Sequence, residues 1–247
     1  LSTSGVQAAI ICGPALGGVL YTMGAMTVYG TGGALLLIAF VLTLAVRYAH
    51  RPSHSASTLR SVFAGVTFAW NNKVLLGAMS LDLFAVLLGG ATALLPIFAR
   101  DILHTGPVGL GLLRAAPAVG ALTMSLALAR WPLQRRVGRR MLACVAAFGV
   151  CMIVFGLSSS LAVSLLALAV SGAADNVSVV TRLTLMQLET PDEMRGRVAA
   201  VNTIFIGASN QLGEFESGAT AALFGPVGSV VLGGIGTLLV AAAWIRL

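Results

Sequence analysis

The chain alternates between long apolar runs and short polar breaks. Eight such runs are found at about 5–23, 27–46, 75–98, 108–129, 141–157, 161–187, 198–224 and 228–245, each ended by charge, proline or a polar cluster. A helix needs about 20 mostly apolar residues to cross a hydrocarbon core of about 30 Å. Membrane strands need only about 9 to 11 residues and alternate in polarity, and none of these runs alternates. Helix is the conformation that satisfies every backbone N–H and C=O of such a run within the run itself. The pattern predicts an all-α, polytopic transmembrane helical bundle.

The breaks carry an asymmetry. If odd-numbered spans run outward, one side holds Arg47, Arg51, Arg60, Lys73, Arg130, Arg135, Arg136, Arg139, Arg140, Arg195, Arg197 and Arg246, and the other holds only Arg100. Basic residues are retained on the cytoplasmic side, so both ends of the chain are expected there. The longest break, 47–74, starts polar and then places Leu59, Val62, Phe63, Val66 and Trp70 at helical spacing. This spacing fits a short interfacial helix; a flexible loop running into an early start of the next span is the alternative.

Composition agrees with a bilayer setting. Of 247 residues, 57% are hydrophobic and 9% charged, where a soluble domain carries roughly 25% charged residues. The net charge of +7 comes from basic residues in the breaks, without the aromatic interleaving of a nucleic-acid surface, so no nucleic-acid partner is expected. Cys12, Cys144 and Cys151 fall inside apolar runs with no CxxC and no histidine at ligand spacing, so neither metal nor disulfide is expected. No cofactor is expected either: there is no GxxxxGK[ST] phosphate loop. The first residues lack an initiator Met and a basic leader, so the chain is expected to begin inside a larger protein. The arginine bias, 14 of 15 basic residues, with the richness in Ala and Gly, suits a GC-rich bacterial genome, and the apolar spans make the expected location a cell inner (plasma) membrane.

An internal repeat divides the chain. Gly13 and Gly18 recur at Gly213 and Gly218, and Gly24, Gly32 and Gly33 recur one residue further on at Gly225, Gly233 and Gly234. The distance corresponds to six spans. Residues 1–46 are then the last two helices of a first six-helix half, 47–74 the cytoplasmic connection, and 75–247 a complete second half, with four helices missing upstream. Two parallel six-helix repeats are the layout of major facilitator transporters.

Three motifs resemble that family. Gly13, Pro14, Gly17 and Gly18 match the core of its GPxxGG antiporter signature on the fifth helix, with Ala9 where a further Gly stands in the family. Pro14 removes a helical hydrogen bond and the glycines permit close helix approach; ordinary small-residue packing is the alternative. Arg135, Arg136, Gly138, Arg139 and Arg140 are similar to the end of the family's basic DRxGRR loop, with Arg135 in place of the Asp; the cluster suits anionic lipid. The stretch Glu189 to Val198, followed by Asn210 to Glu214, resembles the loop and eleventh helix of the exporter branch that includes enterobactin exporters. The resemblance implies efflux of a small molecule.

Six ionisable residues lie at membrane depth, where each costs at least about 2.5–3.5 kcal/mol: Asp82, Arg114, Asp175, Arg182, Glu214 and Glu216. Asp82 and Arg114 are expected to approach pairing distance, either as a cavity ion pair or as a structural brace. Asp175 shares a face with Ser178 and Arg182, and Arg182 has two readings, a partner for that carboxylate or a side chain reaching toward the interface. Glu214 and Glu216, two residues apart, cannot face one cavity; Asn210, Glu214 and Ser217 form one stripe, and Glu214 is favoured for the cavity. The resemblance makes the four spans that hold these six residues the lining of the central pathway.

The expected activity is not enzymatic, since no membrane-embedded His or Lys accompanies these carboxylates. The leading reading is proton-coupled export of a small molecule, a siderophore or lipophilic drug, by alternating access. Ion-coupled uptake and a non-transporting membrane scaffold are the alternatives. The expected partners are the substrate, protons, the lipid bilayer and the four upstream helices.

Overall fold

The structure is a computed structural model that describes residues 2–45, 59–131 and 137–245. Helices dominate it: α1 (Ser2–Tyr21), α2 (Ala25–Ala45), α3 (Leu59–Asn71), α4 (Lys73–Leu88), the short α5 (Leu95–Ile97), α6 (Gly106–Arg130), α7 (Val137–Leu157), α8 (Leu161–Glu189) and α9 (Asp192–Trp244). There is no strand among the described residues. Six helical segments are long and apolar enough to cross a membrane.

Three of the expected spans take a different form. The third is broken: after α4 the chain passes Gly89 and Gly90 into a 3₁₀ turn (Ala91–Leu94), α5, and a π turn (Phe98–Ile102). The carbonyl that the break frees at Gly90 accepts a hydrogen bond from Ser217 Oγ, 2.9 Å away on α9. The seventh and eighth spans join into one 53-residue α9 that is broken at Gly225 (φ 77°, ψ 164°), directly before Pro226. That backbone conformation is open to glycine and strained for other residues. The two arms, 192–224 and 226–244, with α1, account for the eight spans read from the sequence.

The helices pack as a bundle. α6 lies along α8, α7 packs between α8 and α9, and α4 lies against α9. The core is apolar, built around Phe98 stacked on Phe155 (ring centroids 4.6 Å apart) with Leu113, Leu168 and Val230. A second cluster joins Leu81, Met141, Val145 and Ala241.

α1 meets the bundle through backbone. A Cβ built on Gly18 would lie 2.6 Å from the Pro107 carbonyl oxygen, and one on Gly111 would lie 2.6 Å from that of Pro14. Glycine at both positions is what lets α1 and α6 approach this closely. Gly13 and Gly17 have no neighbour at that position. Of the glycines in the signature, Gly18 therefore makes the close contact, because it lies one turn from Pro14 on the same face while Gly13 and Gly17 are turned about 100° away.

α3 forms within the expected connection, whose residues 47–58 lie outside the described ones. It meets the bundle on one side and leaves the largest residues of the apolar stripe uncovered. Val66 and Ala69 rest on Met79, Val201 and Phe205, and Phe68 packs near Leu75 and Val198. Phe63 and Trp70 point away from the protein, both 67% exposed. Only Asn72 separates α3 from α4, and its Oδ1 accepts from the N–H groups of Val74 (3.1 Å) and Leu75 (3.2 Å), which caps α4.

One end of the bundle gathers the charged breaks. Asn72 Nδ2 donates to Glu189 Oε2 (3.4 Å), and Trp244 Nε1 donates to the Gly77 carbonyl (3.3 Å). Arg195 pairs with Asp192 at 2.6 Å. Arg139 and Arg140, next to Gly138, are exposed in the first turn of α7, while Arg135 and Arg136 lie outside the described residues.

Candidate functional site

The break after α4 opens a space inside the bundle. It is a cavity of about 220 Å³ bounded by the broken end of α4, by α6, α7 and α8, and by the first arm of α9. Its walls are largely apolar or small, among them Pro117, Phe148, Met152 and Leu168. Three ionisable side chains from three helices border it: Arg114 on α6, Asp175 on α8 and Glu214 on α9, with Asn210 one turn before Glu214. No residue pair among these forms a salt bridge within 4.0 Å in the described structure. The cavity is thus charged and unneutralised by short contacts, an arrangement that suits a ligand or ion which adds its own charges.

Glu216 does not border this cavity and is half-buried elsewhere on α9. The angular separation of neighbouring positions on a helix accounts for the difference between Glu214 and Glu216.

Asp82 pairs differently from the expectation. Its Oδ2 is ion-paired with Arg182 Nη1, and both side chains are buried. Arg114 instead borders the cavity, along with a second, wider space of about 730 Å³ between α1 and α6 that Tyr21, Pro107 and Leu110 also line. The physical reason is helix order: α4 and α8 are in direct contact, while α4 and α6 have no comparable contact. Arg182 accordingly points inward and is 3% exposed, so it does not reach for the interface.

A narrow gap of about 10 Å³ lies beside the cavity between α4, α7 and α8. Asp82, Asp175, Ser178 and Cys144 line it. Val86, Phe148 and Asp175 border both the gap and the cavity. The sequence pattern offered no signal for Phe148 or Cys144, which are ordinary apolar-run residues placed here by tertiary packing. Asn176, adjacent to Asp175, turns away from the cavity and donates to Ser125 Oγ on α6 (3.0 Å).

Comparison with known proteins places this arrangement. The family model described as Major Facilitator Superfamily matches residues 1–213. The chain belongs to the major facilitator superfamily. With that membership and its apolar helices, it is a multi-pass membrane protein. Among curated relatives, the enterobactin exporter EntS of Citrobacter koseri is 26% identical over 237 residues, covering 95% of this chain and 57% of the relative. The proteins of the same name from Escherichia coli O81 and Shigella boydii serotype 18 are 25% identical over the same lengths. The chain therefore spans a little over half the length of these superfamily relatives. No solved structure matches it.

Proposed function

We propose that this chain is the larger part of a proton-coupled exporter that moves a small molecule across a bacterial inner membrane by alternating access. The observation that carries the proposal is the cavity, where Arg114, Asp175 and Glu214 converge from three helices inside an otherwise apolar bundle. Ionisable side chains are expensive at membrane depth and are kept where they serve an ion or substrate route. The enterobactin exporters similar to this chain support export as the direction and a siderophore, or a lipophilic drug of comparable character, as the cargo. Residues 1–46 and 75–247 belong in this reading to two six-helix halves joined through 47–74. Four further helices supply the facing wall, and the halves rock about the central site. An ion gradient supplies the energy, with carboxylates carrying protons.

The test uses a strain lacking the full-length protein. Intracellular accumulation of a panel of siderophores, enterobactin included, and lipophilic drugs is compared with the complemented strain, with and without a protonophore. Accumulation of one panel member in the deletion strain, reversed by the gene and restored by the protonophore, is the expected result. Equal accumulation of every member in both strains would sink the proposal.

A further inference from the structure

The narrow gap beside the cavity has a specific size and lining. About 10 Å³ is at the lower end of the space that holds one water molecule, which also needs two to four polar partners. Two carboxylates, Asp82 and Asp175, and the hydroxyl of Ser178 border the gap. Ser178 is 3% exposed, and its Oγ has no hydrogen-bond partner in the protein. Nε of Arg182, one turn further along α8, is also buried without a partner. A buried hydroxyl without a partner costs about 1–3 kcal/mol, and an ordered water is the usual remedy. Val86, Phe148 and Asp175 are the residues common to gap and cavity. Of these only Asp175 is polar, so the polar connection runs through it.

We propose that one water molecule occupies this gap, held by Ser178, and connects the central cavity to the buried Asp82–Arg182 pair, with Ser178 as the positioning residue for proton passage between Asp175 and Asp82. The inference rests on the export reading and adds a route to it. The charged and titratable groups around the gap are Asp82 from α4, Cys144 from α7, and Asp175 and Arg182 from α8; Arg114 of α6 and Glu214 of α9 face Asp175 across the cavity. A proton arriving from the cavity protonates Asp175. Asp175 then gives that proton to the water as the water passes one of its own to Asp82. The water is regenerated, Asp175 is left as the carboxylate and Asp82 is neutral. One proton shared by two carboxylates beside Arg182 keeps the trio at zero net charge in both states, which limits the desolvation cost of the transfer.

Infrared difference spectra of the purified full-length protein on acidification test this without a substrate. The expected signature is a water O–H band that moves in heavy-oxygen water, together with carboxyl C=O bands assigned by Asp82→Asn and Asp175→Asn. Ser178→Val, which fills the gap with methyl groups, should abolish the water band and raise the C=O frequency, as for a carboxyl that has lost a donor. Ser178→Thr should restore both. A water band that persists in Ser178→Val, or C=O bands unchanged by it, overturns the inference, whether or not the export reading stands. In proteoliposomes with enterobactin as the probe, Ser178→Val should lower uphill efflux driven by a pH gradient by at least about tenfold and leave exchange at equal pH within about twofold. Equal loss of both activities in a well-folded Ser178→Val protein would make Ser178 structural and overturn the proton route. A wild-type protein that moves no enterobactin removes enterobactin as the cargo, and the infrared result then decides the inference.

Discussion

Arg182 on α8 is ion-paired with Asp82 on α4, and the two side chains are only 3% and 7% exposed. Removing one partner of a buried pair leaves the other charge uncompensated, at a cost of about 3–5 kcal/mol, while replacing both by apolar residues is often neutral. Arg182→Leu and Asp82→Leu should therefore each lower the thermal midpoint of the full-length protein in detergent and its folded yield. The double variant should recover most of the loss. A double variant whose loss equals the sum of the two single losses would mean that the pair contributes no coupling energy.

The two nearby glutamates separate cavity from scaffold. Glu214 borders the central cavity and Glu216 does not. Glu214→Gln should reduce gradient-driven efflux by about tenfold or more, in the range of a lost proton-transfer group, whereas Glu216→Gln should retain most of it. Efflux rates normalised to folded protein check this, and the reverse order would remove Glu214 from the proton route.

Close approach at Gly18 makes a comparison within one signature. A leucine there meets the Pro107 carbonyl, while a leucine at Gly17 has no backbone in its way in this chain. Gly18→Leu and Gly111→Leu should each destabilise by about 1–3 kcal/mol, the usual penalty of overpacking. Gly17→Leu should cost clearly less. Thermal midpoints of the three full-length proteins measure the difference.

The break at Gly225 predicts a stability change of its own. With φ at 77° and ψ at 164°, an added Cβ is strained by about 1–3 kcal/mol. Gly225→Ala should lower the thermal midpoint. Gly218→Ala, inside the helical first arm with open space around it, should leave it unchanged or raise it slightly, since alanine is the better helix former.

How much of this could be read beforehand follows from the range of each interaction. Hydropathy alone locates the spans, because each helix must cross the bilayer by itself, and periodicity within α9 is enough to set Glu214 apart from Glu216. The partner of Asp82 could not be read this way. Arg114 and Arg182 are both at membrane depth, and the choice between them depends on α4 touching α8, which no local pattern encodes. The bend after α4 was equally hidden: Gly89 and Gly90 sit in an unbroken apolar run, and the break is stabilised from outside by Ser217. The protein-facing side of α3 was hidden for a related reason. The large residues Phe63 and Trp70 attract attention in a helical wheel, yet the close contact with α9 is made where the side chains are small, at Gly65 and Ala69.

The contact between α1 and α6 also has a mechanical character. Interlocked side chains resist sliding because each knob must climb out of its hole. At Gly18 and Gly111 the surfaces that meet are bare main chain, with the carbonyls of Pro107 and Pro14 against α-carbons. A shift of α1 along α6 would bring a neighbouring side chain against this main chain, so the seam fixes the register of the two helices without any interlocked side chain at its centre.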